Sequence, residues 1–372
     1  MAKRIRIVSG LVLFAFVTMH LLNVAFGLHS IASMDRARPF LMGMWTNPVG
    51  SIVLGLCLAA HFVLGLGAIY HRNTLRLSPT DAVQLTAALA IVPLLTPHVV
   101  GTVIAARFGI VNNFSTLIPY FWIDKPAEGL RQVLLLAILW IHGCVGVFTW
   151  MRIQRWWPRL GTLLHPLAVA VPVLGLLGFV QAGNEAIARF EDPTSVAPPA
   201  AIPPMVLTRP FDEILAILGR INWTVFILYL AALAVVLAAR WWRLRGERRH
   251  VQVSFVGGPL IDTGTGLNIL EIARLHHVPV AHLCRGRGRC GTCRIRILEA
   301  SGKLDPPSTA EAATLARLGA GPDVRLACQM EPPPGMIRVE RLLSPFMRPR
   351  ELHEEAVQPD DAMPASVTAD AA

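Results

Sequence analysis

The sequence predicts an all-α six-helix transmembrane bundle followed by a small α+β domain. Three observations point there. Long apolar runs fall almost entirely between residues 7 and 242, in a chain that is 53% hydrophobic and only 16% charged. Beyond them, short alternating stretches surround a glycine-broken run that gathers three cysteines, LCRGRGRCGTC. Four of the apolar runs each carry a histidine well inside, where an ionisable side chain is costly and usually functional.

Composition divides the chain at about residue 246. A soluble protein of 372 residues is rarely so apolar. Residues 1–246 therefore read as a membrane domain, 247–343 as a soluble domain and 344–372 as a disordered tail poor in large apolar residues. The net charge of +10 does not indicate nucleic acid, because most arginines stand at the ends of apolar runs, where they meet lipid head groups.

Crossing a hydrocarbon core takes about 20 helical residues. Six runs reach that length: 7–28, 47–70, 82–106, 131–151, 160–182 and 221–242. The first follows KRIR but is too long for a signal peptide, so it is expected to be retained. Lys3, Arg4, Arg6, Arg72, Arg76, Arg152, Arg155, Arg159, Arg240, Arg243, Arg245, Arg248 and Arg249 all fall on one side. The opposite loops balance their cations with acids, so the positive-inside rule predicts that both termini are cytoplasmic. Between the fifth and sixth runs, VAPPAAIPP cannot be helical, and FDEILAILGRI is amphipathic enough to lie on the membrane face or cap the bundle. Residues 108–128 have the same character through Phe108, Phe114, Tyr120, Phe121 and Trp122.

His20, His61, His98 and His142 fall one to each of the first four spans. A single buried histidine is ordinarily a satisfied polar packing residue, but four at matched depths require a common cause. At about 1.5 Å per residue, His20 and His98 lie about 20 and 24 Å from the cytoplasmic face, and His61 and His142 about 21 and 16 Å from the outer face. They sort into an outer pair, His20 with His98, and an inner pair, His61 with His142. Neutral imidazoles from two helices at equal depth suit the axial positions of haem b, and two pairs suit two haems. Gly101, Thr102, Gly143 and Gly146 would admit a flat macrocycle, although small residues also pack helices unaided. His165 could be a ligand, line a quinone site or meet head groups, the last being favoured. Cys57 and Cys144 read as small packing residues.

In the soluble domain VQVSFVG (251–257) alternates like a strand, and GLNILEIARLHHV (266–278) repeats like a helix. RIRILEA (294–300) alternates again, with Ile295, Ile297 and Leu298 as candidates to face the core. Ser308 and Glu311 form a capping box opening a second helix, and VRLACQM and MIRVERLL close the domain as strands. Cys284, Cys290 and Cys293, with Cys328 on the far side of that helix, have the spacing C-x5-C-x2-C…C. Gly286, Gly288 and Gly291 let such a loop curl and aim its N–H groups at sulfide, the requirement of a [2Fe–2S] cluster. Zinc is the rival, but its four-thiolate sites usually draw on two close pairs rather than three thiols in one loop and one alone. A cytosolic domain disfavours disulfides. Arg285, Arg287 and Arg289 alternate with the glycines and would favour the reduced cluster or dock an acidic partner.

The first gap is one residue longer than in plant-type ferredoxins, and the cysteine spacing with its flanking elements resembles the adrenodoxin-like variant of the β-grasp ferredoxin fold. Taken with MHLLN, NPVG, AAHF, PHVVGT, WIHGC and FVQAGNE, the run AHLCRGRGRCGTCRIRI extends the likeness. Residues 5–343 resemble the amino-terminal part of certain bacterial class III adenylate cyclases. There a six-helix anchor akin to the haem-binding subunits of succinate dehydrogenase and fumarate reductase precedes a [2Fe–2S] domain. The resemblance implies haem b, redox input from quinone and a signalling output. No cyclase domain is expected after Leu343. The expected function is therefore electron transfer between haem b and a cytosolic cluster, serving a cytosolic redox partner. The alternative is redox sensing on behalf of a separate cyclase or other signalling partner.

Overall fold

A computed structural model describes residues 2–154, 156–192, 205–245 and 249–346. The proline run at 196–204 and the tail beyond 346 lie outside the described residues. The chain forms two compact units, one helical and ending at Trp241, the other C-terminal, which also takes in residues 73–76 and 149–161.

The helical unit contains α1 (Ala2–Ala25), α2 (Ile31–Thr46), α3 (Pro48–Tyr70), α4 (Pro79–Val99), α5 (Phe114–Pro119), α6 (Pro126–Met151), α7 (Trp157–Glu191) and α8 (Phe211–Arg243). A 3-10 turn extends α1 over Phe26–Leu28, and π-helical turns extend α4 over Val100–Ile104 and α5 over Tyr120–Asp124. Six of these helices are long and apolar enough to cross a membrane. Exposure is inverted relative to a soluble protein: Leu56 is 66% and Leu228 62% exposed, whereas Asn23 is 0% exposed. Such a surface suits lipid. Helix starts follow local chemistry, with Asn47 capping α3 and Ser78 capping α4, each followed by proline in the first turn.

Three features depart from the sequence-based expectation. Helix α2 was not anticipated, since Pro39 and the charges of MDRARPF obscure its period. It begins with a reciprocal Ser30–Ser33 capping box. Its Asp35 accepts from the Phe114 and Ser115 N–H groups at 2.8 and 3.0 Å, fixing the start of α5. The segment around α5 caps the helices, because Ile118 is buried and Phe121 and Trp122 pack on Phe179. Second, α7 runs on to Glu191 instead of ending near 182. No stop signal interrupts it, an i,i+4 Glu185–Arg189 pair at 2.8 Å supports it, and Gly183 leaves room for Trp122, whose ring a Cβ would meet at 2.2 Å. Third, FDEILAILGRI is no separate surface helix but the opening turns of α8.

The C-terminal unit contains β1 (His250–Phe255), β2 (Leu260–Gly264), α9 (Ile269–Leu275), β3 (Arg294–Ala300), α10 (Thr309–Arg317), β4 (Val324–Leu326) and β5 (Gly335–Arg341). The sheet order is β2-β1-β5-β3-β4, with β1 and β5 parallel and the other neighbours antiparallel. Alternation drives the core: Val251, Val253 and Phe255 from β1 and Ile337 and Val339 from β5 pack on Ile269, Ile272 and Ala273 of α9. Strand β2 was missed because LIDTG is short and half-polar. Leu298 does not face the core. A register shift between Ile297 and Glu299 turns it out, leaving it 43% exposed.

Candidate metal centres

The loop from Cys284 to Cys293 owes its shape to left-handed backbone at Arg285, Gly286, Gly288 and Gly291, with φ of 55, 76, 65 and 77°. Glycine is required at 291, where a Cβ would also approach Leu318 Cδ1 to 2.2 Å. All four thiols are buried. Cys284 hydrogen-bonds with Cys290, and Cys293 with Cys328. The backbone amides of Arg289, Cys290 and Arg287 favour a charged Cys284 sulfur, and that of Gly288 a charged Cys328 sulfur. The Cys290 thiol, aided by those amides, holds Cys284 well below the usual thiol range, while the same pairing and burial push Cys290 up. Cys328 is likewise lowered by Cys293, and Cys293 raised by Cys328 and by burial.

Among the described residues, no three His, Cys, Asp or Glu side chains form a group suited to one metal ion. The thiols stand as two pairs, Cys284 with Cys290 and Cys293 with Cys328, which fits a cluster whose two irons would each take two thiolates.

Distant residues strap this loop down. Thr314 Oγ1 donates to the Gly288 carbonyl at 2.6 Å and Arg317 to the Arg289 carbonyl at 2.7 Å. From the other side the Gln329 amide reaches the Gly286 carbonyl at 3.2 Å, and the Ala327 N–H donates to the Cys293 carbonyl at 2.9 Å. Helix α10 is itself anchored by Glu311, which is 0% exposed. Its carboxylate takes Arg325 in a fork at 2.8 and 3.0 Å and the Leu326 N–H at 2.9 Å. The capping box expected at this helix is thus only half made: the Ser308 hydroxyl accepts the Glu311 N–H, but the Glu311 side chain turns to β4. The available signal was Arg325, a cation in the middle of an otherwise apolar strand.

In the helical unit, the rings of His20 (α1) and His98 (α4) stand 6.0 Å apart between centres, at 69°. Those of His61 (α3) and His142 (α6) stand 6.2 Å apart, at 89°. Three of these imidazoles are held through Nδ1. His61 faces the Arg6 carbonyl at 3.1 Å, His142 the Gln84 carbonyl at 3.2 Å, and His98 the Gln132 Oε1 at 2.8 Å. A carbonyl oxygen only accepts, so Nδ1 carries the proton and Nε2 keeps its lone pair. His20 stacks on Phe16 at 6.1 Å and 10°. Gly10 leaves room beside His61, since a Cβ there would lie 2.9 Å from Cε1. Gln132 carries no signal in the sequence, because an amide about two turns into a helix is an ordinary helix former. His165 packs on Phe148 and joins neither pair.

Residues 260–333 match the Fer2 family, described as a 2Fe-2S iron-sulfur cluster binding domain. Over 73 residues the chain is 36% identical to a 2Fe-2S ferredoxin of Haemophilus influenzae, which covers 19% of this chain and 65% of that ferredoxin, just under two thirds. No solved structure matches the chain significantly. After six apolar helices, the chain therefore ends its described fold in a 2Fe-2S iron-sulfur cluster binding domain of the ferredoxin type.

Proposed function

We propose that this is a membrane electron-transfer protein that couples two haem b groups among its helices to a [2Fe–2S] cluster held by Cys284, Cys290, Cys293 and Cys328. The observation that carries the haem reading is the ring spacing. His20 with His98, and His61 with His142, would each hold one haem iron between their imidazoles, which requires the two rings of a pair to come close together from different helices. The two pairs stand at 6.0 and 6.2 Å. Haem b, when bound, supplies a one-electron couple. The chain's own part is to present Nε2 from helices rigid enough to hold it, to fix three of the rings through Nδ1, and to keep water away with apolar neighbours.

The arginine distribution supports cytoplasmic termini, and the resemblance to bacterial cyclase anchors an inner-membrane location, which would put the cluster within reach of a cytosolic redox or signalling partner. Quinone would exchange electrons with the helical unit.

The test is a reduced-minus-oxidised spectrum of the purified protein with haem, iron and acid-labile sulfide stoichiometry. Two haems, and two non-haem irons with two sulfides, are expected. His98→Ala and His61→Ala should each remove one haem; full haem content in both variants would refute the ligand assignment.

A further inference from the structure

We infer that the two histidine pairs hold their haems at different potentials, the His20–His98 pair the higher, and that Gln132 is the residue that tunes that pair. The inference rests on the haem reading above and concerns what lies behind the ligands. An Nδ1–H group that donates to an oxygen makes its imidazole a stronger donor to iron; this favours the oxidised metal and lowers its potential.

The pairs are unequally supplied. In the His61–His142 pair both imidazoles face backbone carbonyls, Arg6 at 3.1 Å and Gln84 at 3.2 Å, and Ser9 Oγ lies 3.4 Å from His61. In the His20–His98 pair only His98 has an acceptor, the Gln132 amide oxygen at 2.8 Å. That amide is oriented, because its NH2 is spent on the Glu128 carbonyl one turn back at 3.3 Å. Among the described residues His20 has no hydrogen bond and lies flat against Phe16 instead. Nearby charge does not reverse the order. Arg131, next to Gln132, is ion-paired with Glu128. Arg6 raises the potential of its own pair, but an arginine in the opening turns of a helix is screened, whereas two carbonyl acceptors act directly on the ligands.

An electron entering at the His61–His142 pair would thus run downhill to the His20–His98 pair. The difference between the sites is graded by one side chain, which a backbone carbonyl cannot offer to mutation.

The experiment is a spectroelectrochemical titration of the whole protein, with the two components assigned by His61→Ala and His98→Ala. The component lost in His98→Ala should be the one of higher potential. Gln132→Leu should raise that component further and leave the other unmoved. Gln132→Glu, which keeps an acceptor oxygen in place, should return it to the wild-type value or below. Equal potentials, the reverse order, or a Gln132→Leu protein whose two components shift together or not at all would overturn the inference. If Gln132→Leu fails to load haem, the order measured in the wild type still decides. Wild-type protein without haem would instead defeat the underlying haem reading, a separate outcome.

Discussion

The cysteine loop and the histidine pairs solve the same problem, holding soft side chains close together, by opposite means. Three of the thiols are near neighbours in sequence, yet their loop needs four left-handed residues and straps from Thr314, Arg317 and Gln329 to hold its shape. The paired histidines are far apart in sequence, and each is placed by a single helix and by Nδ1 contacts or a stacked ring. A site built from strained loop and tertiary straps should fail as a unit. One built from depth along rigid rods should fail one side chain at a time.

The sharpest way to break this contrast is Cys293→Ser. Removing one thiol from a coupled pair should abolish the cluster altogether, with complete loss of non-haem iron and acid-labile sulfide while haem content stays at the wild-type level. Retention of half the non-haem iron would mean that the thiols act singly, and the contrast would collapse.

Next in size is the buried ion pair. Glu311 and Arg325 bond in two places and have little water to fall back on. Glu311→Gln strands the arginine, at a cost of about 3–5 kcal/mol. The urea midpoint for bleaching of the cluster absorbance should drop sharply. Glu311→Leu combined with Arg325→Met should recover much of it, because an apolar pair of similar volume needs no desolvation. Haem absorbance should be indifferent to both variants, and a parallel loss there would show that the units do not fail independently.

The same contrast accounts for what could be read from the chain. Spans and strands are legible because lipid and a half-buried sheet each impose a period on local sequence: VQVSF alternates into β1 and RIRILEA into β3. Which histidines lie together is legible too, since helical rise is constant and the rings meet as the count along each span pairs them. Legibility stops where one residue serves two purposes or where a contact is long-range. Glu311 sits where a capping acid belongs, so its bond to Arg325 is invisible without the fold. Gln132 is an ordinary helix former until His98 arrives from another helix. Helix α2 hides behind Pro39, and β2 is too short and half-polar to announce itself.

Helix α9 shows how small the deciding effects become. The apolar period runs through HHV, which suggested helix up to 278, but the helix ends at Leu275. His277 adopts φ 57°, the Val278 N–H bonds to the Ala273 carbonyl at 2.8 Å, and the His277 N–H bonds to Arg274 at 3.4 Å. This is the Schellman stop, normally supplied by glycine, and Val278 is buried beneath it. A side chain in that conformation costs about 1–2 kcal/mol. Glycine would remove the strain but adds about 0.5–1 kcal/mol of unfolded-state freedom. His277→Gly should therefore stabilise the C-terminal unit by about 0.5–1 kcal/mol, read as a small upward shift in the urea midpoint for cluster bleaching, with haem spectra unchanged. Because α9 supplies Ile269, Ile272 and Ala273 to the core on which the thiol loop rests, even this remote backbone change should register at the cluster. A downward shift would mean that the His277 side chain makes a contact worth more than its strain, and that the loop is held by more straps than those named.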